Sequence, residues 1–481
     1  PTPLSSLELG CAALAAILTT WSLLAVGLAQ LGLFQAWAVA AAVVIACAAG
    51  WGVWRHLNPI AHSTLRRETI FLTILLVGGG LLYSWPAEEF PQNGDASIYP
   101  NTATMLLRTG GLAYHYAPLD GLTVEQKELF YIPADSQLRT MEIQSYEGLL
   151  YGAYYLVDPD QNTIVSSRPP LTIVWMGLLG MLAGEQVMLY VPALFGTLSL
   201  VTVYFLGKRL FGAGAGAVAA LWLLVSFPQL HFSRAPYAEV VGQFFVLSFL
   251  YALVTYWQTR RLMFITMGIA ALTAAFAARI DTILAVPTLL LFLALLALKR
   301  DWKAVRVGLV GAVIAVAFTM WTVNRPYVGA TAEILLGGQL QFVSQLPALA
   351  QLGMIAAGLG GMALLAWLVS RMPAAWRSGL FRWGLTVLVI AGVSYALWVR
   401  PLFPEYALRA DGSLFATHSE EILATVTRYL SPVFLWLAAA GVILLAWRKH
   451  PRFEQILLLV FAASFAGPFL WKYTTARVYP V

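Results

Sequence analysis

Carboxylates and cations stand at the ends of several apolar runs in this sequence, where a membrane would meet water. Asp95 follows the run FLTILLVGGGLLYSW within about ten residues, and Glu239 opens the run VVGQFFVLSFLYALV. A carboxylate can take a proton from a reacting hydroxyl group, and a cation such as Arg234 or Arg279 can stabilise developing negative charge. Charge inside a membrane is costly and usually serves a function. These residues are therefore the candidates for chemistry.

Each candidate also has a purely structural explanation. The stretch 93–95, Asn-Gly-Asp, is a turn sequence, and Asp95 can cap a helix that follows it. Glu239 can be a first-turn acid that the helix dipole favours. Arg279 and Asp281 can form an internal ion pair that closes a tight turn between two spans. The residues alone leave these alternatives open.

The elements that carry these residues are predicted to be membrane helices. The chain has 481 residues, of which 60% are hydrophobic and 11% charged, whereas soluble domains carry roughly twice that charged fraction. Its long apolar runs indicate α-helices rather than a barrel. The net charge of +6 comes from short basic blocks between the runs, as in cytoplasmic loops, so we expect no nucleic acid partner. Cys11 and Cys47 lie in apolar runs and indicate neither a disulfide framework nor a metal motif.

The basic blocks predict about thirteen spans, with the N-terminus inside and the C-terminus outside. A span needs about 20 apolar residues. Placing every basic block in the cytoplasm gives spans at 7–28, 35–53, 70–86, 187–207, 213–229, 240–257, 262–279, 283–298, 306–324, 352–370, 383–399, 431–447 and 454–471. Most acids then fall on the outer side, the exceptions being Glu8, Glu68, Asp301 and Glu454. We therefore expect chemistry at the outer face.

The outer loops of this topology are unequal. The loop 87–186 is by far the longest, and we expect its segments NTATMLLRTGGLAYHYAP and SYEGLLYGAYYL to form short amphipathic helices at the membrane interface. RPPLTIVWMGLLGMLAG (168–184) is short and begins with Pro-Pro, which predicts an interfacial or half-inserted helix rather than a full span. The outer loops 325–351 and 400–430 are shorter.

The pattern NGDASIYPNTATMLLRTGGL resembles the first outer loop of the GT-C superfamily of glycosyltransferases, which use polyprenyl-phosphate-linked sugars. That group includes the protein O-mannosyltransferases and the aminoarabinose transferases that modify lipid A. In its fold an acid follows the first core span, interfacial helices follow the acid, and a Pro-rich apolar helix leads into a hairpin with a basic-Leu-Phe-Gly turn. Asp95, RPPLTIVWMGLL and GKRLFGAGAGA hold the corresponding places here.

Three further motifs extend the resemblance. FPQLHFSRAPYAEVVGQFF (227–245) is similar to the family's second outer loop, with Arg234 ahead of the acid Glu239. AARIDTILAVP (277–287) resembles an Arg-containing outer turn, and TRYLSPVFLW (427–436) resembles a late Arg-Tyr pair ahead of a span. Together the motifs cover about 70–300 and 425–471. Two N-terminal spans ahead of the core depart from the family pattern.

The resemblance implies an all-α, polytopic membrane glycosyltransferase that moves a sugar from a polyprenyl-phosphate carrier to a lipid, glycan or protein acceptor. It implies inversion at the anomeric carbon, with Asp95 as general base and Glu239 as a second catalytic residue. The residues it suggests for the carrier phosphate or the sugar are Arg234, Arg279, His231, Arg428, Tyr429 and Lys472. From the residues alone, Arg428, Tyr429 and Lys472 are better explained as interfacial anchors, and His231 as a solvated or hydrogen-bonded side chain. A divalent metal ion would be bound by Asp95 and Glu239, although no motif requires one.

The predicted organisation has three segments. Residues 1–69 hold two extra spans and a cytoplasmic loop, 70–300 the GT-C-like core, and 301–481 the C-terminal spans. Short loops and the lack of an Asn-x-Ser/Thr sequence suggest a bacterial plasma membrane, with the active site on the extracytoplasmic face. Two alternatives stay open. A transporter or flippase would place ionisable groups near mid-membrane in paired repeats, and a scaffold subunit would keep the fold without the chemistry.

Overall fold

The computed structural model of the chain describes most of its predicted helices. The described residues are 4–57, 61–62, 66–86, 95–130, 149–150, 154–322, isolated helical residues between 360 and 371, 379–399, 406–408, 414–416, 418–448 and 452–470. They are mostly helical, and several helices are long and apolar, as expected for a multi-pass membrane protein.

The α-helices have the following bounds. They are α1 (Ser6–Gln30), α2 (Ala36–Leu57), α3 (Arg66–Tyr83), α4 (Asp95–Thr109), α5 (Val124–Glu128), α6 (Pro170–Ala183), α7 (Val191–Phe211), α8 (Ala213–Val225), α9 (Phe227–Arg234), α10 (Glu239–Thr259), α11 (Met263–Ala278), α12 (Val286–Leu298), α13 (Trp302–Thr322), α14 (Gly379–Ser394), α15 (His418–Ala446) and α16 (Phe453–Leu470). Short 3₁₀ segments cover Ala117–Leu119, Glu185–Tyr190 and Ile280–Ala285, and a π-helical turn covers Tyr395–Val399. Helix α15 has a kink at Ser431, next to Pro432.

The described helices support a smaller number of spans than the thirteen predicted. Seven are long and apolar enough to cross a membrane, and an eighth is gained if α8 and α9, bent by 59° at their break, form one span. Four shorter apolar helices, of 10–17 residues, lie at Pro170–Ala183, Met263–Ala278, Ser431–Ala446 and Phe453–Ser464. Most of the predicted span 352–370 lies outside the described residues. The count of thirteen therefore stays a prediction.

The chain forms two compact units. One comprises Pro1–Ile283 and Arg306–Thr331, and the other comprises Leu284–Val305 and Ala332–Val481. In the second unit, α12 packs on α16 through a cluster of Leu291, Leu295, Leu445, Ala446 and Ile456. The predicted segments 1–69, 70–300 and 301–481 concern function, so that division stays a prediction.

Helix α10 lies at the centre of the first unit, packed on α7 and α11. It is apolar on all sides, which is typical of a buried helix, and Phe244, Phe245 and Phe249 are almost fully buried. The hairpin of α7 and α8 depends on glycine, because a Cβ atom at Gly216 would lie 2.4 Å from the carbonyl oxygen of Tyr204. Close approach of this kind is a common use of small residues between membrane helices.

The loop 87–186, predicted to be an outer loop, contains a sheet as well as helices. The strands β3 (Ala113–His115), β4 (Leu149–Leu150), β5 (Tyr154–Asp158) and β6 (Thr163–Ser166) form an antiparallel sheet in the order β3-β6-β5-β4. Two smaller pairs are β1 (Leu4–Ser5) with β2 (Ala61–His62), and β7 (Tyr406–Leu408) with β8 (Leu414–Ala416).

The sheet corrects part of the sequence prediction for this loop. The first expected interfacial helix, NTATMLLRTGGLAYHYAP, is helical up to Thr109 as part of α4. Beyond that helix, Ala113–His115 of the same segment form β3. The second, SYEGLLYGAYYL, is wrong where it is described, because those residues form β4 and the start of β5. Aromatic and β-branched residues favour strands, and a turn in which Asp158 accepts hydrogen bonds from the backbone N–H groups of Asp160 and Gln161 joins β5 to β6.

Helix α6 is short, as predicted, and its first eight residues are buried within the protein. Its 14 residues span about 21 Å at 1.5 Å per residue, less than the roughly 30 Å of a bilayer core. It packs on α4, α1 and α11, and Leu171, Val174 and Met176 have no exposed surface. Pro170 at its first position is compatible with helix initiation.

Candidate active site

Helices α10 and α11 meet at one end, where Glu239 begins α10 and Arg279 directly follows α11. The Arg279 guanidinium donates from Nη1 to Oε1 of Glu239. Its Nε lies 3.0 Å from Oδ1 of Asp281, and its Nη2 lies 3.1 Å from Oδ2 of Asp281. The side chains of Arg279, Glu239 and Asp281 are 12%, 18% and 13% exposed. They form a mostly buried cluster of two carboxylates and one cation.

Helix α10 is shaped to receive this arginine. The aliphatic stem of Arg279 lies against Gly242, where a Cβ atom would be 3.4 Å from Cγ and Cδ of the arginine. Oε2 of Glu239 is buried and, among the described residues, accepts no hydrogen bond; the same holds for Oε1 of Gln243 one turn further on. A buried acceptor without a donor costs about 1–3 kcal/mol. A ligand that brings a donor to these atoms would remove that cost.

The cluster supports the ion-pair explanation of Arg279. Nε and Nη2 of Arg279 bind Asp281, and Nη1 binds Glu239. A phosphate at the same nitrogen atoms would compete with carboxylates that already form charge-assisted hydrogen bonds. The phosphate role that the sequence suggested for Arg279 therefore gains no support from this geometry, and it stays a prediction.

Arg234 and His231 lie on the short helix α9, away from direct contact with the cluster. Arg234 donates from Nε and Nη2 to the carbonyl oxygen of Leu82, at 2.8 and 2.5 Å. An arginine near the end of another helix commonly binds its last carbonyl groups in this way. His231 stacks on Phe227 with ring centroids 6.3 Å apart. Within the described residues no ion pair joins Arg234 to Glu239, which pairs with Arg279 instead.

The other predicted residues are only partly described. Helix α4 begins at Asp95, a position where the helix dipole favours a carboxylate; the side chain of Asp95 lies outside the described part. Arg428 and Tyr429 belong to α15, just before its kink at Ser431, and their side chains also lie outside it. Lys472 is not among the described residues.

A cleft next to α6 was not predicted from the sequence. It has a volume of about 510 Å³ and is lined by Gln30, Leu112, Ala113, Val165, Ser166, Arg168, Pro169, Pro170, Ile173 and Thr322. The end of α1, the end of α13, the start of α6 and strands β3 and β6 meet there. Arg168 supplies a cation, and Gln30, Ser166 and Thr322 supply polar groups. The motif RPPL was a usable signal for Arg168, but nothing in the sequence points to Gln30 or Thr322.

A second cluster that was not predicted lies where the start of α1 meets the end of α7. Glu8 of α1 binds Arg209 of α7 through Oε1 and Nε, and the Tyr251 hydroxyl of α10 donates to the same oxygen at 3.0 Å. Beside it, Nζ of Lys208 lies 2.5 Å from Oε1 of Glu68. The side chains of Glu8 and Arg209 are 3% and 5% exposed. The four charged residues fall on the predicted cytoplasmic side, and their pairing was not predicted from the sequence.

The four-stranded sheet carries a histidine, His115, whose two ring nitrogen atoms each lie next to an oxygen atom. Nδ1 of His115 lies 2.8 Å from the carbonyl oxygen of Gln161, and Nε2 lies 2.9 Å from Oδ2 of Asp120. Asn162 donates to Oδ1 of Asp120 at 2.8 Å. The Gln161 carbonyl, followed by Asp120, raises the pKa of His115. The hydrogen bond from His115, followed by that from Asn162, lowers the pKa of Asp120.

The described part of the chain contains no cluster of side chains suited to bind a metal ion. No group of at least three His, Cys, Asp or Glu side chains is placed to hold an ion there. The predicted pair of Asp95 and Glu239 cannot be measured against this finding, because the Asp95 side chain is outside the described part. A divalent ion at that pair stays a proposal.

Comparison with known proteins finds one family model that matches part of the chain. Residues 167–323 match the family model described as dolichyl-phosphate-mannose-protein mannosyltransferase. The match runs from α6 to the end of α13 and includes Arg234, Glu239 and Arg279. This family is part of the GT-C superfamily, so the resemblance drawn from the sequence motifs is confirmed for this part of the chain. The molecule is thus a multi-pass membrane protein in which one segment, 167–323, is similar to glycosyltransferases of the GT-C superfamily.

Two solved structures from Archaeoglobus fulgidus are also similar. One is the oligosaccharyltransferase AglB in complex with an inhibitory peptide and a dolichol-phosphate, at 14% identity and a TM-score of 0.46, covering 86% of this chain and 49% of that one. The other is an oligosaccharyltransferase in complex with Zn and sulfate, at 13% identity and a TM-score of 0.37, covering 85% and 52%. The chain spans about half the length of each. No curated protein matches it in sequence.

Proposed function

We propose that the chain transfers a sugar from a polyprenyl-phosphate carrier to an acceptor on the extracytoplasmic side of the membrane. The observation that carries the proposal is the family match over 167–323, because this segment contains the buried cluster of Glu239, Arg279 and Asp281. The pair Arg260-Arg261 lies between the opposite ends of α10 and α11. If this basic pair is cytoplasmic, the cluster lies at the outer end.

The proposed reaction is a direct displacement at the anomeric carbon. The acceptor oxygen forms a bond to this carbon, the bond from the carbon to the phosphate oxygen breaks, and the configuration inverts. The acceptor proton goes to a carboxylate, for which we propose Asp95, with Glu239 as the second catalytic residue. The leaving polyprenyl phosphate keeps the bonding electron pair, so a cation must lie beside it.

We propose Arg168 as a cation for that phosphate, in addition to the residues suggested by the sequence. It lines the cleft at the start of α6, together with Ser166 and Gln30, and it belongs to the segment that matches the family model. Arg279 is less suited, since both neighbouring carboxylates already bind it. Arg234, His231, Arg428, Tyr429 and Lys472 stay proposed contacts of the donor or the interface.

The setting we propose is a bacterial plasma membrane. The donor tail would stay among the membrane lipids while its phosphate reaches the outer interface. The acceptor is a lipid, glycan or protein, and nucleic acid is not expected. A divalent ion between Asp95 and Glu239 is an additional proposal, to be tested by turnover with and without a chelator.

The test is a donor panel applied to purified protein in nanodiscs. Labelled polyprenyl-phosphate sugars, including mannose, are offered with lipid, glycan and peptide acceptors. We expect transfer with at least one donor, and loss of transfer but not of donor binding in Asp95→Asn. Glu128→Gln, an exposed outer-loop change, serves as control. Donor movement across liposomes without transfer would instead support the transporter alternative, and unchanged turnover in Asp95→Asn would remove that residue from the mechanism.

A further inference from the structure

Asp281 holds Arg279 in a two-pronged contact. Nε of the arginine lies 3.0 Å from Oδ1 of Asp281, and Nη2 lies 3.1 Å from Oδ2. A carboxylate bound in this parallel geometry fixes the plane of the guanidinium, which a single hydrogen bond would not. Asp281 follows Arg279 by two residues, at the start of a 3₁₀ segment, so the contact is local and needs little chain ordering.

The fixed guanidinium in turn directs Glu239. With Nε and Nη2 bound to Asp281, Nη1 points to Oε1 of Glu239. The stem of Arg279 is supported by Gly242 on the same helix as Glu239. Oε2 of Glu239 is buried and, among the described residues, accepts no hydrogen bond. One oxygen of the carboxylate is anchored, and the other is a buried acceptor that a donor group of a bound substrate would satisfy.

We propose that Asp281 is a positioning residue for the transfer reaction, which acts on Glu239 through Arg279 and does not touch the substrate. The proposal rests on the proposed function, because the orientation of Glu239 affects turnover only if Glu239 takes part in it. The free oxygen of Glu239 would meet a hydroxyl group of the sugar or of the acceptor. Arg279 would be a part of this support and not a ligand of the carrier phosphate.

A positioning role predicts a particular kinetic pattern. Asp281→Asn keeps the size of the side chain but replaces one acceptor oxygen by a donor that faces the guanidinium. We expect kcat to fall by about 10- to 100-fold, because small displacements of a reacting group are costly, while the donor KM changes by less than about two-fold. Asp281→Glu keeps the carboxylate and is expected to stay within about five-fold of wild type.

The experiment compares Asp281→Asn, Glu239→Gln and the double variant, with Asp301→Asn as a matched control at the start of α13. If Asp281 acts through Glu239, the double variant has the kcat of Glu239→Gln within about two-fold, since the effects do not add. Independent, multiplying effects would overturn the proposal. A raised donor KM with unchanged kcat in Asp281→Asn would also overturn it, because Asp281 and Arg279 would then bind the donor. An equal loss of kcat in the control Asp301→Asn would overturn it as well.

Thermal unfolding of wild type, Asp281→Asn, Glu239→Gln and the double variant separates this proposal from the proposed function. The shifts in Tm of Asp281→Asn and Glu239→Gln are expected to be non-additive, because both residues bind one arginine. If wild type transfers no sugar from any donor, the proposed function fails, and coupled Tm shifts would still support the connection from Asp281 to Glu239. Additive Tm shifts would contradict that connection whatever the turnover.

Discussion

The ion pair of Glu8 and Arg209 gives a prediction whose size follows from burial. Oε1 of Glu8 accepts hydrogen bonds from Nε of Arg209 and from the hydroxyl group of Tyr251. Glu8 also forms a capping box with Ser5 at the start of α1. The change Glu8→Gln keeps the side-chain volume and can keep the capping box, which accepts Glu or Gln at this position. It removes the charge and replaces one acceptor oxygen by an NH₂ donor, so the contacts on one side of the group, with Ser5 or with Arg209 and Tyr251, are lost.

The cost is expected to be large because both side chains are buried, with 3% and 5% exposed. Removing one partner of a buried ion pair typically costs about 3–5 kcal/mol. The single glutamine carbonyl oxygen can still accept a hydrogen bond on one side, from Arg209 or from Ser5, worth about 1 kcal/mol, so we expect a loss of about 2–4 kcal/mol. At about 2 °C per kcal/mol, Tm falls by about 4–8 °C.

The matched comparison is Glu68→Gln, in the neighbouring pair. Its partner Lys208 has a side chain that is 26% exposed, so the lysine can turn its ammonium group to water. We expect a cost of about 1 kcal/mol for this change. Thermal unfolding of wild type and both variants in one detergent measures the difference. Equal shifts in Tm, or a larger shift for Glu68→Gln, would refute the argument from burial.

Two other predictions concern the four-stranded sheet β3-β6-β5-β4 and the α7–α8 hairpin. The pKa of His115 is raised in the fold, so its stabilising contribution is complete below its ordinary pKa of about 6.5 and is lost as pH rises through the raised value. Hydrogen-exchange protection of β3 and β6, corrected for intrinsic exchange, should fall over that range in wild type but not in His115→Gln; parallel profiles would refute this. Gly216→Ala should cost about 1–3 kcal/mol, because its Cβ would meet backbone atoms at 2.4 and 2.8 Å. Gly214→Ala, with nothing within 4 Å, should be neutral or stabilising on the helix-propensity scale; equal Tm shifts in the two variants would contradict the packing argument.

The helices around the site were predictable because apolar length defines them. The sequence placed a span at 240–257, and α10 covers Glu239–Thr259; it placed one at 262–279, and α11 covers Met263–Ala278. Glu239 and Arg279 were therefore found at the correct helix ends. Their partnership was not predicted. In the sequence Arg234 stands close ahead of Glu239, and only the packing of α10 on α11 brings Arg279 to it.

Long-range pairing explains the other failures. The pairing of Arg209 with Glu8 was not predictable, because nothing near Arg209 in the chain shows that Glu8 lies beside it. The four-stranded sheet was not predicted because its strands are short. In addition, a Tyr- and Leu-rich segment such as 145–156 fits both an amphipathic helix and a strand. The cleft around Arg168 is formed by five separate elements, so no local pattern could reveal it.

Single-turnover release of polyprenyl phosphate is the most direct test of the central claim. Purified wild type, Glu239→Gln and the control Glu128→Gln are mixed with the labelled donor that wild type uses and its acceptor, at protein in excess over donor. The account predicts equal amounts of glycosylated acceptor and free polyprenyl phosphate from wild type and Glu128→Gln, and a rate lower by about 100-fold or more in Glu239→Gln. Wild-type rates in Glu239→Gln, or no release from any donor by folded wild type, would contradict it.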